Sequence, residues 1–327
     1  MTRQVVFGTG QVGRPLIERL VAAGHDVVGV NRRGVGAVPG ASIVAADATD
    51  ASTTRAVVDG AASVYFCLNA AHYDRWPQEF PPLQRGVLAA VEATGARLVV
   101  LDNLYAYGPT HGADLVETMP AHPRSAKAAT RAAMTAELLA AHAAGRVEVA
   151  IGRASDYFGP GVTSSALGET VFGHALSGRA AQVMGRPDRL HSYSYVPDVA
   201  EALAILGTRP DTTGRIWHLP VAPARTTREV VEIAYRAAGR RCRLVAVGRT
   251  ALTLAGLVRP ALREYGHTLY QFTERWVVDD SRFRAAFGVG ATPLDEAVAA
   301  TVSWYVQRLA AAGVPTHVDG AADTGQV

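Results

Sequence analysis

Near the start of the chain, Gly8-Thr9-Gly10-Gln11-Val12-Gly13 has the spacing of a loop that can hold a diphosphate. The first glycine permits a tight turn, the second lets the backbone approach the ligand, and the third lets a helix pack closely on a strand. Free amides at the start of that helix, together with its dipole, attract an anion. The pattern carries weight only between a strand and a helix. Here it has both. Val5-Val6-Phe7 is a short apolar run, and residues 15–23 place Leu16, Ile17, Leu20 and Val21 at helical spacing.

The residue about twenty positions further on selects the dinucleotide, and in NAD sites it is normally Asp or Glu. This chain has Asn31-Arg32-Arg33 instead. A carboxylate repels a 2′-phosphate, whereas a guanidinium grips one with paired hydrogen bonds. The loop therefore points to NADP(H), with Arg14 as a second phosphate candidate; ordinary solvation is the competing role for the arginines. Asp47 ends a strand-like run and can accept a hydrogen bond from an adenine amino group. Its competing role is to cap the next helix, which Asp50 or Ser52 suits better.

Several elements must position these groups. Strand-like runs at 5–7, 26–30, 42–45, 63–68, 97–101 and 147–151 alternate with helical patterns at 15–23, 53–59, 83–94 and 125–144. Alternation of this kind predicts an α/β fold: a doubly wound parallel Rossmann sheet with right-handed crossovers. Ligands gather outside the carboxyl ends of such strands. His72 and Tyr73 follow the fourth strand at that edge and are substrate-pocket candidates. After Gly152 the rhythm breaks at Gly159-Pro160-Gly161. Helices follow at 165–177, 197–206, 226–239 and 293–311, with strands at 193–196 and 243–247. The expected division is a dinucleotide domain at 1–158 and 191–220 and a smaller C-terminal substrate lobe at 159–190 and 221–312. A Gly-, Asp- and Thr-rich tail at 313–327 reads as disordered. In the lobe, Arg263-Glu264-Tyr265-Gly266-His267 reads as a solvated helix end, with pocket lining as the alternative.

From residue 4 to 308 the chain resembles the extended short-chain dehydrogenase/reductase (epimerase/dehydratase) family. The likeness rests on landmarks in order: the glycine loop, Asp47, Cys67-Leu68-Asn69-Ala70-Ala71, and Leu101-Asp102-Asn103-Leu104-Tyr105-Ala106-Tyr107-Gly108. It continues through Ser125-Ala126-Lys127, Gly152-Arg153 with Phe158-Gly159-Pro160-Gly161, Tyr195-Val196-Pro197-Asp198-Val199-Ala200, Trp276-Val277-Val278-Asp279 and Trp304-Tyr305. The resemblance implies that Asn69 passes the cofactor ribose and that Lys127 holds it. It also exposes two departures. The family's Tyr-x-x-x-Lys is here Pro123-Arg124-Ser125-Ala126-Lys127, and its fifth-strand serine or threonine is Asn103.

A phenol that moves a proton while hydride moves at nicotinamide has thus been lost from its usual place, and proline cannot replace it. Asn103 can still donate a hydrogen bond to a carbonyl oxygen. Residues i and i+2 of a strand share a face, so Tyr105 should point where Asn103 points. Tyr105 is therefore the candidate displaced acid or substrate-binding phenol, with an aromatic wall as its plainer role. Tyr107 on the same face reads as structural, His122 is a weaker candidate, and His191 reads as locally satisfied. The candidate catalytic set is Asn103, Tyr105 and Lys127.

Two functions fit. One is an NADP(H)-dependent oxidoreductase or epimerase acting on a small carbonyl, hydroxyl or imine substrate, or a non-redox cyclase or lyase on the same fold. The other is an NADP(H)-sensing regulator without turnover. Net charge +3 with scattered basic residues argues against nucleic acid. Two distant cysteines, Cys67 and Cys242, make neither a disulfide framework nor a metal site. With no signal-peptide pattern and no apolar run of about 18 residues, a cytoplasmic protein without membrane contact is expected. By analogy with the family, helices 83–94 and 125–144 are expected to pair in a homodimer.

Overall fold

The computed structural model describes residues 1–258 and 263–313. Its first half runs β1 (Arg3–Phe7), α1 (Gly13–Ala22), β2 (Asp26–Asn31), β3 (Ala41–Ala45), α2 (Ala51–Val58), β4 (Ser63–Phe66), α3 (Trp76–Thr94), β5 (Arg97–Asp102), α4 (Ala126–Ala143) and β6 (Val149–Arg153). Then follow β7 (Asp156–Phe158), α5 (His174–Leu176), β8 (Ala181–Met184), β9 (Leu190–His191), β10 (Tyr193–Tyr195), α6 (Val196–Thr208), β11 (Arg215–His218), β12 (Arg225–Thr226), α7 (Thr227–Ala237) and β13 (Leu244–Val247). The remainder is helical: α8 (Arg249–Val258), α9 (Arg263–Gly266), α10 (Tyr270–Thr273), α11 (Ser281–Phe287) and α12 (Leu294–Ala311).

Seven strands form one parallel sheet in the order β11-β6-β5-β4-β1-β2-β3. The chain winds outward in one direction from β1 and in the other from β4, so the switch point lies between these two strands. In β1, β4 and β6 the apolar run faces both sides because helices cover both faces. One face packs Val5, Phe7, Val64 and Phe66 under α3 and α4. The other packs Val6, Tyr65 and Val99 under α1 and α6. Leu16, Ile17 and Leu20 of α1 are fully buried there. Each such side chain contributes about 1.5–3 kcal/mol of burial energy. A separate core holds the C-terminal lobe, with Phe172, Val183, Val231, Val298 and Tyr305 among its buried residues.

Several element boundaries differ from the sequence expectation. Helix α3 begins at Trp76, not at 83, and runs through Pro81 and Pro82. Burial of Trp76, Phe80, Val87 and Val91 against the sheet overrides the two missing amide donors. Strand β4 ends at Phe66, and β6 covers Val149–Arg153. The helix expected at 165–177 is a π-helical stretch, Gly168–Gly173, followed by the short α5. Strand β5 stops at Asp102, and Tyr105–Tyr107 forms a single 3-10 turn. The expected tail falls on residues 314–327, which lie outside the described residues.

Candidate active site

The glycine loop crosses the carboxyl ends of β1 and β4. Gly8 has φ +99°, and a Cβ there would lie 2.6 Å from the Cys67 carbonyl oxygen. A Cβ on Gly13 would lie 1.7 Å from the Gly8 carbonyl oxygen. Both positions exclude any side chain. A Cβ on Gly10 would meet nothing within 4 Å, so its backbone borders open space. Behind it α1 starts at Val12 and Gly13 without a side-chain cap and with no acidic residue in its first turn. Amide donors are thus left for an anion, and the residues fit a dinucleotide pyrophosphate. Gln11 does something its sequence position did not suggest. Its Oε1 accepts from the amides of Thr163 and Ser164, at 2.9 Å each, and ties the start of the lobe to the glycine loop.

At the end of β2, Asn31 spends its whole amide on the local turn. Its Nδ2 donates to Thr9 Oγ1 at 3.0 Å and to the Val35 carbonyl at 2.9 Å, and its Oδ1 accepts from the amides of Arg33 and Val35. Asn31 therefore shapes the loop that presents Arg32 and Arg33, both exposed. Asp47 Oδ1 accepts from the Thr49 amide and hydroxyl. Those bonds, and then the nearby Arg32 guanidinium, hold its carboxyl below the usual range. Asp50, not Asp47, caps α2. Arg14 is paired with Glu18 at 3.0 Å, and Asn69 is exposed.

Beyond the loop lies a cluster of rings around one cation. The Lys127 ammonium is 3.3 Å from the centroid of the Tyr73 ring and 3.1 Å from Glu264 Oε2. The Tyr73 hydroxyl lies 3.2 Å from the Tyr105 hydroxyl. Tyr105 stacks on Trp76 and Tyr73 on Tyr265, with centroids 5.8 and 5.1 Å apart. Burial pulls Lys127 down to about 8 against the opposing pull of Glu264. Burial pushes Tyr73 up to about 12 and Tyr105 well above the usual phenol value. Both phenols therefore keep their protons at neutral pH.

Asn103 and Tyr105 do not share a strand face, because β5 ends at Asp102. Instead, Asn103 Oδ1 accepts the Tyr105 amide at 3.0 Å and starts the 3-10 turn that swings the ring towards Tyr73. The Asn103 Nδ2 has no hydrogen-bond partner among the described residues. His72 lies apart from the cluster. Its exposed ring pairs with Glu79 at 2.6 Å, and its amide donates to the same carboxylate. His122 contacts Arg124 Nη2 at 2.6 Å on the exposed side of the loop.

Buried charge anchors the base of the cluster. Asp102 meets Arg131 of α4 and Arg153 of β6, all nearly inaccessible. Burial pulls the Asp102 carboxyl upward, but the two guanidiniums override it and hold it below its ordinary value. Arg153 also stacks over Tyr107, whose hydroxyl contacts His218 Nε2 at 2.7 Å. Tyr107 is thus structural. His191, at 2% exposure, contacts Asp156 Oδ2 at 2.9 Å and the Gln271 carbonyl at 3.1 Å.

The profile of the NAD dependent epimerase/dehydratase family matches residues 5–219, which include the glycine loop, both catalytic-segment candidates and Lys127. The chain belongs to this family. No curated protein matches it closely enough to count as a relative. Among solved structures, dTDP-glucose 4,6-dehydratase from Bacillus anthracis, in complex with NAD, superposes with a TM-score of 0.77 at 15% identity, over 95% of this chain and 98% of that one. The Streptomyces venezuelae dTDP-glucose 4,6-dehydratase, with NAD and TYD bound, gives 0.77 at 19%, over 94% and 98%. UDP-glucose 4-epimerase from Thermus thermophilus, in complex with NAD, gives 0.72 at 20%, over 93% and 99%. At these identities the likeness shows the shared fold.

Glu264 and Tyr265, which the sequence placed in a solvated helix end with pocket lining as the alternative, belong to the cluster. No local pattern marks them, and they lie far along the chain from Lys127 and Tyr73. Among the described residues no group of His, Cys, Asp and Glu is arranged to hold a metal ion, and no helix is long and apolar enough to cross a membrane.

Proposed function

We propose that this family member is an NADP(H)-dependent oxidoreductase or epimerase acting on a small hydroxyl, carbonyl or imine substrate. The observation that carries this reading is the Tyr73–Tyr105 hydroxyl pair, with the Lys127 ammonium against the Tyr73 ring. A nicotinamide dinucleotide, bound along the glycine loop, supplies the hydride acceptor or donor. Arg32 and Arg33 would grip the 2′-phosphate, and the buried Lys127 and the exposed Asn69 would meet the ribose. The Asn103 Nδ2 would orient the substrate oxygen. The Tyr73–Tyr105 hydroxyl pair would give that oxygen its proton, and the Lys127 ammonium against the Tyr73 ring would offset the phenolate charge left on the pair. The solved neighbours were determined with NAD; the preference proposed here for NADP(H) rests on the loop after β2.

A panel of small aldehydes, ketones and imines incubated with NADPH tests the reading by absorbance at the nicotinamide band. Turnover that falls at least about a hundredfold in Tyr73→Phe and Tyr105→Phe supports the phenol pair, since general acid catalysis contributes about 10²–10⁴. Turnover untouched by either change contradicts it. The second reading, an NADP(H) sensor without turnover, is favoured by one observation: the buried Lys127 is covered by Glu264. Binding without consumption across the panel would select it.

We also propose a homodimer through α3 and α4. The exposed Ala129, Ala133, Ala136, Ala140 and Ala143 of α4 leave one helix face smooth enough for close approach of a second copy.

A further inference from the structure

A lysine that serves a bound ribose must present its ammonium to the ribose hydroxyls. The Lys127 side chain is only 2% exposed. The cover comes from α9 in the C-terminal lobe. Glu264 contributes its carboxylate at 3.1 Å and its own carbonyl at 3.3 Å, so the ammonium meets both side chain and backbone of one residue. The next residue, Tyr265, lays its ring on Tyr73 with planes 24° apart. These two contacts engage the two groups that the cofactor and substrate need. Neither contact is a fixed part of a core, because the Glu264 side chain is 25% exposed and Tyr265 36% exposed. Beyond them the chain is anchored: Thr268 and Leu269 are buried, and Tyr270 packs edge-on against the buried Trp276.

We propose that Glu264 and Tyr265 form a latch that occupies the ribose seat on Lys127, so that latch closure and binding of the nicotinamide half of a dinucleotide exclude one another. The proposal rests on the cofactor reading above. Lys127 exchanges one set of oxygen partners for another, the Glu264 oxygens for the ribose hydroxyls, and its charge is never left bare. The latch lowers the apparent affinity for the whole dinucleotide by the fraction of molecules that are open. A ligand that ends at the pyrophosphate does not reach Lys127 and is indifferent to the latch. The lobe thereby senses cofactor occupancy, because α9 must move when the ribose arrives.

Two ligands and two variants test this by calorimetry on the full-length protein. NADPH reaches Lys127; 2′,5′-ADP carries the adenosine and the 2′-phosphate but no nicotinamide half. The expected result is NADPH affinity raised about tenfold in Glu264→Gln and in Tyr265→Ala, with 2′,5′-ADP affinity unchanged in both. Tyr265→Ala tests the second arm of the latch independently and removes only a half-exposed ring. Binding of 2′,5′-ADP with NADPH affinity unchanged or weakened in both variants overturns the latch and leaves the cofactor reading standing. Failure of wild type and both variants to bind either ligand overturns both.

Discussion

At the scale of single residues, the site is governed by burial acting on ionisable groups. His218 is the clearest case. It is fully buried between Tyr107 and the Asp279 carbonyl, and burial pushes its imidazole from 6.5 down to about 4. The unfolded chain takes up a proton as the pH falls below 6.5, whereas the folded chain resists until about 4. The unfolded state therefore binds more protons across that window, and stability falls as the pH is lowered through it. The shift corresponds to roughly 3 kcal/mol. Urea unfolding measured from pH 6.5 to 4 should show this slope in wild type and lose most of it in His218→Gln. An equal slope in both proteins would show that His218 titrates freely. The same competition shapes the cluster around Lys127. Tyr73 and Tyr105 keep their protons because burial disfavours phenolate, while Lys127 is brought towards neutrality and held charged by Glu264.

At the scale of elements, the glycine loop is the most sharply specified feature. Gly13→Ala would drive a Cβ into the Gly8 carbonyl oxygen, and the only relief is to move the turn or the helix. Dinucleotide affinity should fall by more than about tenfold while the far-ultraviolet circular dichroism stays near wild type, because one turn is displaced and the sheet is not. Retained affinity would mean that the loop does not cradle the ligand. This element was legible in the sequence because its logic is local: glycine spacing, an apolar run before it, helical periodicity after it. The sheet was legible for the same reason. The cluster was legible only in part. Tyr73, Tyr105 and Lys127 each stood near a recognisable landmark, but the argument that aimed Tyr105 assumed a strand where the chain makes a turn. Glu264 reaches Lys127 across 137 positions of sequence, and nothing in the local pattern of 263–267 distinguishes a solvated helix end from a cover. Gln11 gave no signal either: its role depends on where the chain returns at Thr163.

At the scale of the molecule, the carboxyl edge of the parallel sheet meets later parts of the chain through Gln11, which accepts from Thr163 and Ser164, and through Lys127, which meets Glu264. The alanine face of α4 is the surface available for a second copy. Sedimentation equilibrium should give about twice the 34.4 kDa chain mass, and Ala133→Arg should return it to one chain. A wild-type mass of one chain would contradict the dimer. The choice of cofactor is decided by the calorimetric affinity of the purified protein for NADPH against NADH. Charge-assisted phosphate contacts from Arg32 and Arg33 predict NADPH binding at least about tenfold tighter, with the preference abolished in the Arg32→Ala, Arg33→Ala double variant. Equal affinities, or tighter binding of NADH, would contradict the account.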